Sequence, residues 1–144
     1  MPFFRISALS CFALLFAVSC KSAPSQPPQA QTAGLRIDVL KAGYSAKKQR
    51  IDVRVKIWND QDQRINFDLG DVRLLFNGRE VSPTPTMTKD QNPDVQAKSN
   101  RLLDWSFEVG DVIGEGTYPI ELRNLKKGDV LQSEAAVFKI VLGA

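Results

Sequence analysis

The chain has 144 residues, is 43% hydrophobic, and sets 19 lysines and arginines against 16 acidic residues, for a formal net charge of +3. It holds two cysteines and no histidine. Without histidine, Ser-His-Asp and Cys-His nucleophilic sites are excluded, as are His-ligated zinc and copper centres, and so small a positive charge argues against a nucleic-acid partner.

The first element in chain order is an apolar run from Ile6 to Val18, with Arg5 as the only charge ahead of it. Secretory apolar cores span about 7–15 residues, whereas a bilayer-crossing helix needs about 20. The run therefore reads as an export signal. It ends in Leu14-Leu15-Phe16-Ala17-Val18-Ser19-Cys20 and gives way at once to a polar, proline-rich stretch. That order resembles a bacterial lipoprotein signal. Ala17-Val18-Ser19 also suits an ordinary signal peptidase, which would leave a soluble secreted product. Cysteine arithmetic favours the lipoprotein. Cys11 leaves with the signal, so Cys20 would be the one thiol of an exported protein, and an odd free thiol in an oxidising compartment is a liability. The resemblance implies that residues 1–19 are removed and that Cys20 carries a diacylglyceryl thioether and an amide-linked acyl chain. The same resemblance makes Lys21 a sorting residue. Aspartate at that place favours inner-membrane retention in Gram-negative lipoproteins, so Lys21 points to the outer membrane, on its periplasmic face or turned outward.

Residues 21–34 read KSAPSQPPQAQTAG, with Pro24, Pro27, Pro28 and three glutamines. Such a segment buries too little apolar surface to offset ordering. Residues 20–34 are therefore expected to form a disordered tether, spanning about 20 Å as a coil and about 40 Å if extended.

Residues 35–144 are expected to form one β domain. Leu35, Ile37 and Val39 alternate with polar neighbours, as do Ile51, Val53, Val55 and Ile57 opposite Arg50, Asp52, Arg54 and Lys56. Ile65, Phe67 and Leu69 continue the pattern after a polar turn at 59–63. Val72, Leu74 and Phe76 lead into Asn77-Gly78, a strong hairpin signal, and Val81 begins the return strand. A long irregular stretch, Ser82 to Ser99, precedes Leu103, Trp105, Phe107 and Val109. Tyr118, Ile120 and Leu122 form the next strand, and the turn at 124–129 leads to Ala136, Phe138, Ile140 and Leu142. Strands at this spacing, each with one apolar face, predict an all-β, two-sheet antiparallel sandwich.

Phe107-x-Val109 followed by Gly114-x-Gly116-x-Tyr118-x-Ile120-x-Leu122 resembles the E-to-F region of immunoglobulin-like domains. The resemblance implies a corner tyrosine at Tyr118, its hydroxyl bonded to nearby backbone, and puts Ile120 where such domains often carry a disulfide cysteine. More broadly, the domain resembles the immunoglobulin-like modules of small bacterial lipoproteins of unknown function.

No spacing points to catalysis, to a bound metal or to a cofactor, and a non-enzymatic role is expected. Asn59, Asp60, Asp62, Asp68 and Asp71 gather around one turn but lack the Gly and bidentate Glu of the familiar calcium loop, and turn chemistry accounts for them equally well. The expected role is protein–protein interaction as an accessory or scaffold module for another envelope protein. Candidate contacts are Trp58, which falls on the polar face of its strand, and Pro85 and Met87 in the long 82–99 stretch, since tryptophan dominates hot spots and long loops carry function. Two alternatives stand beside it. The valine-rich early strands, Asn77-Gly78, Trp105 and Gly116-Thr117-Tyr118 are similar to a bacterial proteinase-inhibitor family. The basic hairpin with Lys47, Lys48, Arg50 and Arg54, with Tyr44 nearby, suits an anionic lipid or glycan surface.

Overall fold

The computed structural model describes residue 26 and residues 30–85, 92–110 and 113–143. Cys20, Lys21 and Met87 lie outside them. The described chain is all-β and antiparallel, with one short 3₁₀ turn at Leu69–Asp71. No helix among the described residues is long and apolar enough to cross a membrane.

Three four-stranded sheets form, where strand alternation alone implied two. The front sheet orders β1 (Ala30–Thr32), β2 (Leu35–Ser45), β3 (Arg50–Asn59) and β8 (Ser99–Glu108) as β1-β2-β3-β8. The back sheet orders β5 (Val72–Phe76), β6 (Arg79–Val81), β9 (Gly116–Leu122) and β12 (Ala136–Leu142) as β12-β9-β5-β6. The third, which we call the end sheet, holds the two-residue strands β4 (Ile65–Asn66), β7 (Asp94–Val95), β10 (Lys126–Lys127) and β11 (Val130–Leu131). Of these, the Ile65–Phe67–Leu69 alternation predicted only β4, and it overran: the strand stops at Asn66 and a 3₁₀ turn takes Leu69–Asp71; β7, β10 and β11 are too short to show an apolar period.

Front and back sheets bury the alternating side chains against each other. Ile51, Val53, Val55 and Ile57 of β3 and Leu103, Trp105 and Phe107 of β8 are buried from one side. Leu74, Phe76, Ile120, Phe138 and Ile140 close the core from the other. The Trp105 ring bridges the layers, with its centroid 6.3 Å from Phe138 and 6.3 Å, edge-on, from Phe67. Aromatic pairs in this range add to what area burial alone supplies.

Two hairpin turns place two successive residues in left-handed backbone. Asn77-Gly78, at φ of 46° and 72°, makes the tight β5–β6 connection. Ala33-Gly34, at 51° and 74°, makes the β1–β2 turn. A side chain on Gly34 would also collide with Gln61, whose Nε2 donates to the Gly34 carbonyl at 3.1 Å.

The second turn corrects the tether boundary. Ala30, Gln31 and Thr32 pair with Ile37, Arg36 and Leu35, so ordered structure begins ahead of Leu35. Gln26 joins it through its side chain: Nε2 donates to the Val141 carbonyl at 3.1 Å, and Oε1 accepts from the Val141 N–H at 3.0 Å. The amide imitates one rung of a β-ladder on the rim of β12. Proline-rich composition argued for disorder because it counts apolar area; a side-chain amide paying its way in hydrogen bonds escapes that count.

The 82–99 stretch also holds more structure than its composition suggested. Pro83, Pro93 and Val95 are buried, Thr84 N–H donates to the Ser106 carbonyl at 2.7 Å, and β7 lies within it. Asn59, the one buried polar residue of the described core, organises the far rim. Its Nδ2 donates to the carbonyls of Gln63 (2.8 Å) and Val95 (3.0 Å), and its Oδ1 accepts from Gln61 N–H (3.0 Å). Leaving such carbonyls unpartnered in the interior costs about 1–3 kcal/mol.

Candidate functional site

The outward face of the front sheet carries three of the candidate residues, Arg50, Arg54 and Trp58. Across β2, β3 and β8, strand register sets them in rows: Arg36–Trp58–Asn100, Asp38–Lys56–Leu102, Lys41–Arg54–Asp104, Gly43–Asp52–Ser106 and Ser45–Arg50–Glu108. A β-bulge between Val39 and Lys41 adds Leu40 to β2 and leaves it exposed. Leu102 is exposed on the same sheet.

Trp58 lies half-buried on this face, beneath two cations. The Arg36 guanidinium sits 4.4 Å and the Lys56 ammonium 4.5 Å from the ring centroid. The indole Nε1 donates to Asp38 Oδ2 at 2.9 Å. Each cation over a ring contributes about 0.5–1 kcal/mol when exposed, and together they fix the ring's orientation.

Arg50 and Arg54 are not free for an anionic surface. Arg54 makes a two-pronged pair with Asp104, at 2.7 Å (Nε to Oδ1) and 3.1 Å (Nη2 to Oδ2). Arg50 Nε lies 2.8 Å from Asp52 Oδ1, and the Ser106 hydroxyl donates to the same oxygen at 2.6 Å. Lys47 and Lys48 differ. They stand exposed in the β2–β3 turn. Tyr44 is half-buried and packs against the core. Pro85 is exposed.

Asp52 is the carboxylate with an informative charge. Partial burial works against ionisation, but the Ser106 hydroxyl and Arg50 outweigh it and hold the pKa below the ordinary aspartate range. A folded pKa depressed below the unfolded one adds stability above the unfolded value and loses it as pH falls through the folded value. Asp52→Asn should therefore flatten the acid side of a stability-against-pH curve and leave the neutral-to-basic side parallel to wild type. Urea midpoints measured from pH 2 to 7 would check this; acid limbs that superimpose would contradict it. The effect is modest, because the side chain is about half exposed and solvent screens it.

Between Asp52, Arg54, Asp104 and Ser106, with Lys41 at its side, the sheet carries a shallow depression of about 280 Å³. Asp52, Arg54 and Asp104 are already matched within the sheet, and the Ser106 hydroxyl serves a carboxylate held ionised, which makes that carboxylate a weak base. The arrangement can present fixed donors and acceptors to a partner. On the back sheet, Arg123 ties Glu80 (2.6 Å) to Glu121 (2.8 Å), and the hydrogen bond from Arg123 lowers the pKa of Glu80. Among the described residues, no group of three or more His, Cys, Asp or Glu is placed to hold a metal ion. Asp62 instead lies 3.4 Å from Lys98 Nζ, and Asp71 accepts from Asn124 at 3.0 Å.

The corner expected at Tyr118 is present as a contact: its hydroxyl donates to the Gly114 carbonyl at 2.9 Å. The partners that matter most on the front face, Arg36, Asp38, Asp104 and Ser106, were not singled out from the residues alone. Alternation put them on the outer face, but only the register of β3 against β8 shows which charges meet.

No protein-family model matches the chain, and no curated protein matches it. Among solved structures it is similar to the ycdA protein of Bacillus subtilis, described as a candidate lipoprotein, with a TM-score of 0.56 and 16% identity. That match covers 78% of this chain and 38% of the other, so the chain spans well under half of its length. The yjhA protein of the same species aligns with a TM-score of 0.48 and 15% identity, over 66% of this chain and 76% of that one. The likeness to the ycdA protein is one of fold: an all-β, antiparallel domain.

Proposed function

We propose that this chain is a non-enzymatic lipoprotein of the cell envelope, held by an acylated Cys20, whose β domain is a protein-binding accessory module. In this reading the front and back sheets are the two layers of an immunoglobulin-like sandwich, and Lys21 directs the protein to the outer membrane. The signal-like stretch ending at Cys20 supports the anchor, and the fold likeness to a candidate lipoprotein is consistent with it.

One surface supports the binding role. Trp58 is held in place by Arg36, Lys56 and Asp38, and Leu102 stands exposed in the cross-strand place beside Lys56. An aromatic ring pinned before binding loses little entropy on contact, which is how such residues come to dominate interfaces. Its truncation at a true hot spot costs about 2 kcal/mol or more, about 30-fold in affinity.

The test is in-cell crosslinking with full-length wild type and with a Trp58→Ala/Leu102→Ala chain. Both substitutions lie on the outward face, so the fold should survive; losing the two cation contacts and the indole hydrogen bond should lower the melting temperature by several degrees, and recovery is compared well below it. A crosslinked envelope protein recovered with wild type should be lost with the double variant. Undiminished recovery would remove this face from the function.

A further inference from the structure

We propose that one end of the β domain, carrying Lys47 and Lys48, rests on an anionic lipid surface when the protein is anchored. This rests on the proposal that Cys20 is acylated. What is added is an orientation: which end of the domain faces the bilayer.

Two independent features meet at that end. The first is the place of Gln26, the described residue nearest Cys20 in sequence. From the Ala33-Gly34 turn, β1 runs back along β2, and Gln26 bonds to Val141, next to last in β12. The second is the Lys47-Lys48 turn. A continuous series of contacts joins the two. Gln49, beside Lys48, accepts from Val109 N–H at 3.0 Å. The Val109 carbonyl accepts from Arg79 at 3.1 Å. Arg79 pairs with Phe76, whose ring lies 6.1 Å from Tyr118. Tyr118 pairs with Ile140, the neighbour of Val141. Gln26 and the basic turn thus share one end. The other lysine-bearing turns, with Lys98 and with Lys126 and Lys127, lie with Asn59 and the end sheet at the opposite end.

Reach decides the geometry. Only residues 21–25 separate Cys20 from Gln26. Six peptide steps extend to about 20 Å at most. The ten-residue strand β3 is about 34 Å long at strand rise. The leash is therefore shorter than the domain, and the end beside Gln26 is the one held at the headgroups. Tethering keeps the local concentration high, so a weak contact is populated. Lys47 and Lys48 are exposed, Arg79 is bonded to Val109 at the same end, and Arg50 is matched by Asp52; among the described residues, Glu108 and Glu115 are the acidic residues in the neighbouring segments. Each lysine near an anionic surface is expected to contribute about fivefold in binding.

The test uses the mature full-length chain from a lipoprotein-processing host, reconstituted on phosphatidylcholine vesicles with and without phosphatidylglycerol. Lysines are acetylated for short times and read by mass spectrometry, and amide exchange is followed in the 46–49 turn. On phosphatidylglycerol vesicles, Lys47 and Lys48 should react about fivefold or more slowly, while Lys98, Lys126 and Lys127 keep their rates. High salt should restore reactivity. In a Lys47→Glu/Lys48→Glu chain, the turn amides should lose their lipid-dependent protection. If the protein floats with vesicles but Lys47 and Lys48 react at unchanged rates, or are protected equally without phosphatidylglycerol, docking is overturned and the anchor stands. A chain left in the supernatant overturns the anchor and the docking with it.

Discussion

Trp105→Ala should lower the melting temperature by about 15 °C or more and bring the domain close to unfolding at physiological temperature. Trp105 is buried, and its ring contacts Phe138 in the back sheet and Phe67 beside the end sheet. Truncating a buried tryptophan costs about 3–5 kcal/mol, because the lost transfer energy adds to the cavity left behind. Domains of this size hold a net stability of about 5–15 kcal/mol. No cysteine lies in residues 35–144, so no disulfide cushions the loss. One kcal/mol moves the midpoint of a 100-residue domain by about 4 °C or more. Trp105→Phe keeps a ring at the junction and should lose much less. Thermal melts followed by near-ultraviolet circular dichroism would decide. A shift under about 5 °C for Trp105→Ala would mean the layers are held together elsewhere.

The largest expected effect on behaviour belongs to Cys20→Ala. Each methylene buried in a bilayer contributes about 0.8 kcal/mol, and stable attachment takes more than one chain. If Cys20 is acylated as proposed, its removal should shift partition by several orders of magnitude and move the protein from membrane to soluble fraction. The docking contact at Lys47 and Lys48, each about fivefold, could not hold it there alone. Fractionation with mass spectrometry of the mature amino terminus is the measurement. An unmodified Cys20 in wild type, or equal membrane retention of both chains, would overturn the anchor.

Long strands were legible in the order of residues, and partners distant in sequence were not. Ile51 to Ile57 and Leu103 to Phe107 alternate over enough residues for period two to stand out, and their apolar sides are the buried ones. The four strands of the end sheet are two residues long, three of them with no readable period, and exist because loops arriving from distant parts of the chain cross there. Asn59 looked like turn chemistry, yet its amide gathers carbonyls 36 residues away. The basic hairpin looked unpaired because Asp104, which neutralises Arg54, lies 50 residues on. Charge runs along a strand say nothing about the neighbouring strand. Gln26 and β1 were missed for the opposite reason, since composition registers hydrophobic area and not backbone mimicry.

The pinning of both rims of the 86–91 stretch has a practical corollary. Thr84 is fastened to Ser106 upstream, and Asn59 grips Val95 downstream. Neither fastening draws on the residues between them. An epitope or protease site spliced in at Met87 should therefore leave the scaffold assembled, and a cleaved chain should stay in one piece under native conditions. That gives a handle for asking which side of the membrane the domain occupies, with a cut that reports location and leaves the body of the protein intact.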